Sequence, residues 1–408
     1  MKKILFLSFA YPYGHFNPSD LCSTRIMKAL VETGKYEVHC ISCKSNNNNQ
    51  PSFPLIDGVI THFLPFSEGR LFYSRWFTHI RIVLLLPFYP FKHLWSNWKY
   101  YHACKKIILD EKYDLVIAQC NPEYSVIAGS LLKKNRFIDK LLVIFWDNFY
   151  GKLPRRFVPE SYAIKRQRKV ESWIARYADS LVSLYPLKAF HEKYGDVNEA
   201  KGKRHYLGIP SIMQPTVNSR SSYKDVINED MINILYSGTI FRAEYVEFLV
   251  HIMNETKYAK RINLIFFCRG VSENVFSELR ATFKGTIQNS DWIPHKELLG
   301  LYNHVDFFVS FPGLPTAIRS KVFEYMSYGK PLILLYDDET DVNVTTFSRY
   351  PACLSVDERT CTKDKVKAME SYLDKYKDKN IPFEQVLRLF PLDSAKAYVD
   401  IIDSLLNT

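Results

Sequence analysis

The segment Pro312-Gly-Leu-Pro-Thr-Ala-Ile-Arg-Ser-Lys-Val-Phe-Glu-Tyr-Met-Ser-Tyr-Gly-Lys-Pro-Leu-Ile-Leu-Leu335 is where the chain declares its fold. A loop with Gly313 and Pro315 feeds a short helix over Ser320–Ser327. Gly329 stands where a helix ends on a left-handed residue, and Pro331 opens an apolar strand over Pro331–Tyr336. Arg319, Ser320 and Lys321 fall at the helix start. Unpaired backbone N–H groups and the positive end of the helix dipole meet there, which suits a diphosphate. Glu324 lies one turn beyond Ser320 on the same face. A carboxylate so placed accepts hydrogen bonds from two neighbouring hydroxyls, as a ribose offers.

Two upstream segments repeat this strand-to-helix pattern. Ile234-Leu-Tyr-Ser-Gly-Thr-Ile-Phe-Arg242 runs from a strand to a helix start. Gly238 admits close backbone approach, and Thr239 and Arg242 are donors for an anion. Leu264-Ile-Phe-Phe-Cys-Arg-Gly270 is a strand that ends in Arg269. All three termini lie at the carboxyl ends of expected parallel strands, where open α/β sheets bind ligands. The chain has neither the G-x-G-x-x-G fingerprint nor a P-loop, which argues against a dehydrogenase and an ATPase.

Working outward, 408 residues are too many for one ordinary core and imply two or three domains. Short apolar runs over Ile4–Phe9, Tyr36–Ile41, Val59–Phe63, Leu115–Ala118, Leu141–Phe145 and Ser180–Leu184 alternate with amphipathic stretches such as Cys22–Thr33 and Tyr124–Lys133. Strands spaced by helices imply parallel pairing with crossovers. Residues 210–231 carry Pro210, Pro215 and several serines without an apolar period, and read as a linker. The alternation then restarts at Ile232. The expectation is an α/β chain: domains over 1–209 and 232–382, and C-terminal helices over 383–408, broken at Pro391, placed to cross back to the first domain.

Composition narrows the class. Hydrophobic residues at 47% and charged residues at 24% are ordinary for a globular chain and exclude disorder. No apolar run approaches the ~18 residues of a membrane span. Met1–Ala10 reads as a first strand and not a leader. Eight cysteines in this length are not a disulfide framework, and Cys40-x-x-Cys43 continues a strand pattern. The chain reads as cytoplasmic.

The charge is uneven. Residues 1–208 hold 31 Lys+Arg against 17 Asp+Glu, and residues 209–408 hold 23 against 26. A bias confined to one half points to a polyanion, an anionic lipid surface or a phosphate-bearing substrate. Residues 63–102 carry 13 aromatics with Arg70, Arg75, Arg81, Lys92 and Lys99 and one acid, Glu68. Rings at the boundary and cations on lipid phosphate suit a bilayer headgroup layer. A second basic run over Lys152–Lys169 includes Arg155, Arg156, Lys165, Arg166 and Arg168. The competing reading is an aromatic core helix with solvated charged faces. Zinc-finger spacing and RNP-like motifs are absent, so nucleic acid is not an expected partner.

The chain resembles two-domain glycosyltransferases of the GT-B fold, and is similar to glycosyltransferase family 4, the type that builds bacterial surface polysaccharides. Lys3–Phe9 with Pro12, Gly14, Arg25 and Leu30–Val38 resembles that family's opening strand, glycine loop and helix. Trp292-Ile293-Pro294-His295 with Leu298, Leu299, Leu301-Tyr302 and Asp306 resembles the stretch before its donor loop. Ser320-Lys-Val-Phe-Glu-Tyr-Met326 with Gly329-Lys330-Pro331 is the most specific match. The resemblance implies two Rossmann-like domains facing each other across a cleft, the second holding a nucleotide-diphosphate sugar as substrate. Glu324 would then bind ribose, Arg242 and Lys321 the diphosphate, and backbone from Ile293 to His295 the base. The family often has two glutamates separated by seven residues. Thr316 occupies the first place here, so that contact with the transferred sugar is missing or replaced.

On the acceptor side, Gly14, His15 and Arg25 follow the first strand. The family often places a histidine after the fourth or fifth strand, but Ala118-Gln119-Cys120-Asn121-Pro122 has none. Asp147, after Leu141–Phe145, is placed either to act as base or orient an acceptor hydroxyl, or to cap the next loop. Asp337-Asp-Glu-Thr-Asp341 resembles a metal-binding run but reads as a solvated loop. No metal or other cofactor is expected, because cations and helix termini already match a leaving diphosphate. The implied activity is transfer of a sugar to a growing, lipid-diphosphate-linked glycan of the capsule or lipopolysaccharide type, with retention of configuration, at the inner face of the cell membrane. The alternatives are a nucleotide-sugar epimerase of the same fold and a non-catalytic subunit of a glycan assembly complex.

Overall fold

A computed structural model describes residues 1–8, 18–43, 55–64, 90–91, 94–120, 123–146, 159–215, 221–314 and 318–408. The chain forms two compact units, Met1–Pro210 with Leu392–Thr408, and Ser211–Pro391.

The first unit is built on strands β1 (Lys2–Leu7), β2 (Tyr36–Cys43), β3 (Val59–Leu64), β4 (Leu115–Cys120), β5 (Leu141–Phe145), β6 (Ser180–Leu184) and β7 (Arg204–Leu207). They form one parallel sheet in the order β3-β2-β1-β4-β5-β6-β7. Helices α1 (Pro18–Glu32), α2 (Leu94–Asp110), α3 (Glu123–Lys134), α4 (Glu160–Tyr177) and α5 (Leu187–Tyr194) connect them. Every residue of β4 and β5 is buried. Strands covered on both faces read as continuous apolar runs, which is why these two were visible in the sequence.

The second unit repeats the plan with strands β8 (Ile232–Thr239), β9 (Ile262–Arg269), β10 (Thr286–Ser290), β11 (Phe307–Ser310), β12 (Leu332–Tyr336) and β13 (Cys353–Asp357). The sheet is parallel, in the order β10-β9-β8-β11-β12-β13. Its helices are α6 (Glu244–Glu255), α7 (Glu273–Thr282), α8 (His295–Tyr302), α9 (Ser320–Ser327), α10 (Val342–Phe347), α11 (Lys363–Tyr376) and α12 (Phe383–Leu389). Helix α13 (Ala395–Asn407) returns to the first unit. It buries Tyr398, Val399, Ile402 and Leu406 in the core that holds Ile26, Leu30 and Val38.

Several boundaries differ from the sequence reading, each for a physical reason. β1 begins at Lys2, because Lys2 and Lys3 join the ladder although their side chains point to polar partners, the Leu406 carbonyl and Glu111. β10 is a polar edge strand in which only Ile287 is buried, so no apolar run marks it. The stretch read as a linker is packed where it is described: Ile212 is buried, Tyr223, Val226 and Ile227 pack beside it, and the Val226 carbonyl accepts from Asn263 Nδ2 at 2.8 Å. The C-terminal helical stretch divides at Pro391, with α12 in the second unit. Part of the basic run around Arg166 and Arg168 lies on α4. The buried face of α4 includes Gln167 and Glu171, which hides its period.

Candidate functional site

In each sheet the strand order reverses at one place, between β1 and β4 and between β8 and β11. A crevice opens outside the carboxyl ends of the strands at such a point. In the second unit this brings together the end of β8, the loop after β11 and the start of α9.

Lys321 is the centre of this place. Its ammonium donates to the Ser237 carbonyl at 3.0 Å and the Ser237 hydroxyl at 2.7 Å. Among the described residues no carboxylate lies within ion-pair distance of it. Burial holds its pKa below the ordinary lysine value, with the charge of Glu324 opposing the shift. The N-cap residue Arg319 makes no side-chain cap to α9. The helix start therefore offers backbone N–H groups beside a half-buried cation. Gly329, in the left-handed region with φ 70°, closes the helix, and its N–H bonds the Met326 carbonyl at 2.8 Å.

Glu324 is 3% exposed. It pairs with His295 Nε2 at 3.0 Å and accepts from the Tyr302 hydroxyl at 3.1 Å. Burial raises the Tyr302 hydroxyl well above its usual pKa, so it stays a donor. Tyr302 also lies 3.5 Å from the Ser237 hydroxyl, and the Ser237 N–H donates to the Tyr325 hydroxyl at 3.0 Å. Tyr325 is fixed in turn by stacking on Phe308, with ring centroids 4.1 Å apart. His295, Glu324, Tyr302, Ser237 and Lys321 thus form one connected set.

Its other flank runs through Gly238, whose carbonyl accepts from Trp292 Nε1 at 3.4 Å. The Arg269 guanidinium stacks on Trp292 at 4.3 Å from the ring centroid and forks onto Asp291 at 2.6 and 3.1 Å. That hydrogen bond raises Arg269 further and lowers Asp291. Arg269 pairs in register with Thr239, which is exposed. Gly270 has φ 99°, and a Cβ there would lie 2.0 Å from the Ile240 carbonyl oxygen, so only glycine fits the turn. Ile293 is half-buried beside the core that holds Leu298 and Leu301.

Two expected anion ligands are paired with carboxylates in the structure, Arg319 with Asp341 and Arg242 with Asp337. The Arg319 guanidinium bonds Asp341, and its Nη1 lies 3.5 Å from the Ser310 hydroxyl and 3.4 Å from the Leu335 carbonyl. Asp341 is 1% exposed and caps α10 by accepting from the Asn343 N–H at 2.9 Å. The acidic run is therefore not wholly solvated: its last member is a buried structural cap. The capping pattern Asp341-Val-Asn343 was a sequence signal for this. Arg242 lies over the Tyr245 ring at 5.0 Å and 3.8 Å from Asp337, which accepts from the Tyr245 hydroxyl at 2.8 Å. A neighbouring cavity of about 510 Å³ is lined by Gly313, Asp337, Asp338, Glu339 and Arg359.

In the first unit, Arg25 lies on α1 with Nη1 3.4 Å from the Pro210 carbonyl. Gly14, His15 and Asp147 lie outside the described residues, as does Thr316. At the end of β4, Gln119 is 3% exposed, and its Oε1 accepts from Trp146 Nε1 at 2.8 Å and from the Ser23 hydroxyl. In the sequence this place shows only the absence of a histidine. The roles of Ser237 and Tyr325 carried no signal either, since a serine at a strand end and a tyrosine within a helix are unremarkable by themselves.

No protein-family model matches the chain, and no curated protein matches it in sequence. Solved structures do. The chain is similar to sucrose-phosphate synthase from Thermosynechococcus elongatus, with 100% of this chain and 98% of that one covered, 15% identity and a TM-score of 0.61. It is also similar to HepE from Anabaena, solved in complex with UDP and glucose, over 100% of both chains at 12% identity and a TM-score of 0.58. UDP-GlcNAc 2-epimerase from Methanocaldococcus jannaschii is matched over 99% of this chain and 100% of that one, at 17% identity and a TM-score of 0.55. At such identities the likeness is one of fold: two parallel-sheet α/β domains of the GT-B class.

Proposed function

We propose that the chain is a glycosyltransferase that moves a sugar from a nucleotide-diphosphate donor to a growing, lipid-linked glycan, with retention of configuration, as its resemblance to family 4 implies. The observation that carries this reading is Lys321: a half-buried cation at the start of α9, where Arg319 makes no side-chain cap, and with no carboxylate within ion-pair distance among the described residues. Buried charge is costly unless paired, so the place calls for an anion. A diphosphate leaving group gains negative charge as the sugar–phosphate bond breaks. Lys321, the N–H groups of α9 and the Arg242 and Arg269 side chains supply the countercharge, and no metal is required. Glu324, positioned by His295 and Tyr302, receives the ribose hydroxyls, and the Trp292–His295 segment borders the base. That HepE was solved with UDP on this fold supports the assignment.

A membrane-facing acceptor fits α2. Trp95 and Trp98 are each 52% exposed and stack at 4.9 Å, with the Lys99 ammonium 5.4 Å from the Trp95 ring centroid. No helix among the described residues is long and apolar enough to cross a membrane. Attachment is therefore proposed as peripheral, at the inner face. The stretch that precedes α2, including Arg70, Arg75 and Arg81, lies outside the described residues.

Calorimetry with UDP, GDP and ADP tests the donor site. One of them should bind wild type and fail to bind the double variant Lys321→Ala/Glu324→Ala; unchanged affinity in that variant overturns the site. Likeness to a 2-epimerase favours one rival, epimerisation of a soluble sugar nucleotide. Incubation with UDP-sugars and no acceptor separates the two readings, since an epimer accumulates only in the second.

A further inference from the structure

Away from the donor site, two histidines, two carboxylates, a tyrosine and a lysine of the first unit converge at the β2–β3 edge of its sheet. His39, on β2, is 2% exposed. Its Nε2 lies 2.8 Å from Glu37 Oε1, so this nitrogen carries the proton and Nδ1 presents its lone pair to the other side. There it meets His62 Nε2, from β3, at 2.9 Å and Glu111 Oε2 at 3.6 Å. The Tyr113 hydroxyl lies 3.2 Å from His39 Nδ1, 3.4 Å from His62 Nε2 and 2.9 Å from Glu111 Oε2. The other Glu111 oxygen is held by Lys3, which also bridges to Glu37 at 3.0 Å.

His39 Nδ1, His62 Nε2, Glu111 Oε2 and the Tyr113 hydroxyl stand close enough together to share one ion, with five of their six separations near that of ligands around such an ion. Ligands about 2.0–2.1 Å from a zinc-sized ion stand roughly 3.3 Å apart, and the five contacts above span 2.9 to 3.6 Å. The ligand atoms of His39, His62 and Glu111 all lie within 4.8 Å of one another. The Glu37–His39 bond is the carboxylate–imidazole arrangement that fixes the tautomer of a metal-binding histidine. Two carboxylates face one ammonium, so one negative charge is uncompensated.

We propose that His39 Nδ1, His62 Nε2, Glu111 Oε2 and the Tyr113 hydroxyl bind one divalent transition-metal ion of the zinc class, which ties the edge strand β3 to β2 and to the end of α2. On binding, the His62 proton moves from Nε2 to Nδ1, and Tyr113 stays a neutral phenol. A second cluster, Glu171, His191 and Asp196, has a similar donor set. There the carboxylate oxygens are already taken by Arg204, which bonds Glu171 at 2.6 Å and Asp196 at 2.8 and 2.9 Å. This cluster serves as the internal control.

The test uses the full chain, stripped with chelator and titrated with Co²⁺ by visible absorption and with Zn²⁺ by calorimetry. One equivalent should bind at micromolar concentration, with the visible bands of four-coordinate cobalt and a raised Tm. His62→Gln should abolish binding, Glu37→Gln should weaken it roughly 10–100-fold, and His191→Gln should leave it unchanged. Should His62→Gln fail to fold, His62→Cys should show a thiolate-to-cobalt band in the near ultraviolet. Absence of binding to wild type, equal binding by His62→Gln, or no such band in a folded His62→Cys protein each overturns the site.

Discussion

Lys321 donates to both the carbonyl and the hydroxyl of one residue, Ser237, and so fastens the first turn of α9 to the end of β8. Both acceptors are neutral, so the contact leaves the ammonium charge unneutralised. Lys321→Ala should lower nucleoside-diphosphate affinity by about 10–100-fold, the range for losing a charge-assisted hydrogen bond. The Tm should change little, and calorimetry with differential scanning measures both.

The pH dependence follows from the same lysine. Its pKa is depressed by burial, so the ammonium is lost earlier on the alkaline side than an exposed one would be. A diphosphate is already fully ionised there. Donor affinity should therefore fall as pH rises through the Lys321 pKa, and Lys321→Arg should flatten the fall. Stability should move the other way. Between the folded and unfolded pKa values the unfolded chain binds more protons, so unfolding free energy rises with pH in that window. A donor affinity flat across this range in wild type would refute the assignment.

Arg319 and Asp341 form a buried pair, and Asp341 also caps α10. Asp341→Ala removes the cap and leaves a guanidinium buried without its partner. A loss of about 3–5 kcal/mol is expected, read by urea unfolding. A loss under about 1 kcal/mol would mean that Arg319 is free to serve a ligand instead.

The α2 face predicts lipid contact. The variant Trp95→Ser/Trp98→Ser should lose co-sedimentation with anionic liposomes at low salt by about tenfold or more, since each indole buries a large apolar area. Donor binding should be unaffected. Equal sedimentation of variant and wild type sinks the membrane reading.

Legibility in the sequence tracked burial on both faces. Ile262–Cys268 and Leu332–Leu335 are buried without interruption and read directly as strands. α4 was opaque because Glu171 on its buried face answers to Arg204, 33 residues away. In the candidate site, helix-start logic pointed to Lys321 and Glu324, which the structure links through Ser237 and Tyr302. It could not foresee that Arg319, one position earlier, turns to Asp341 rather than to the crevice. A side chain's partner across the sheet depends on tertiary placement, which local pattern does not encode.

The docking of α13 onto the first unit has a consequence for biosynthesis. β1 and α1 are synthesised well before α13, so the apolar face they share with Tyr398, Val399, Ile402 and Leu406 stays open until α13 emerges. The unit formed by residues 211–391 can mature before the unit whose two parts flank it. Nascent chains stalled after residue 391 should carry a protease-resistant interior segment behind a still-digestible amino-terminal half.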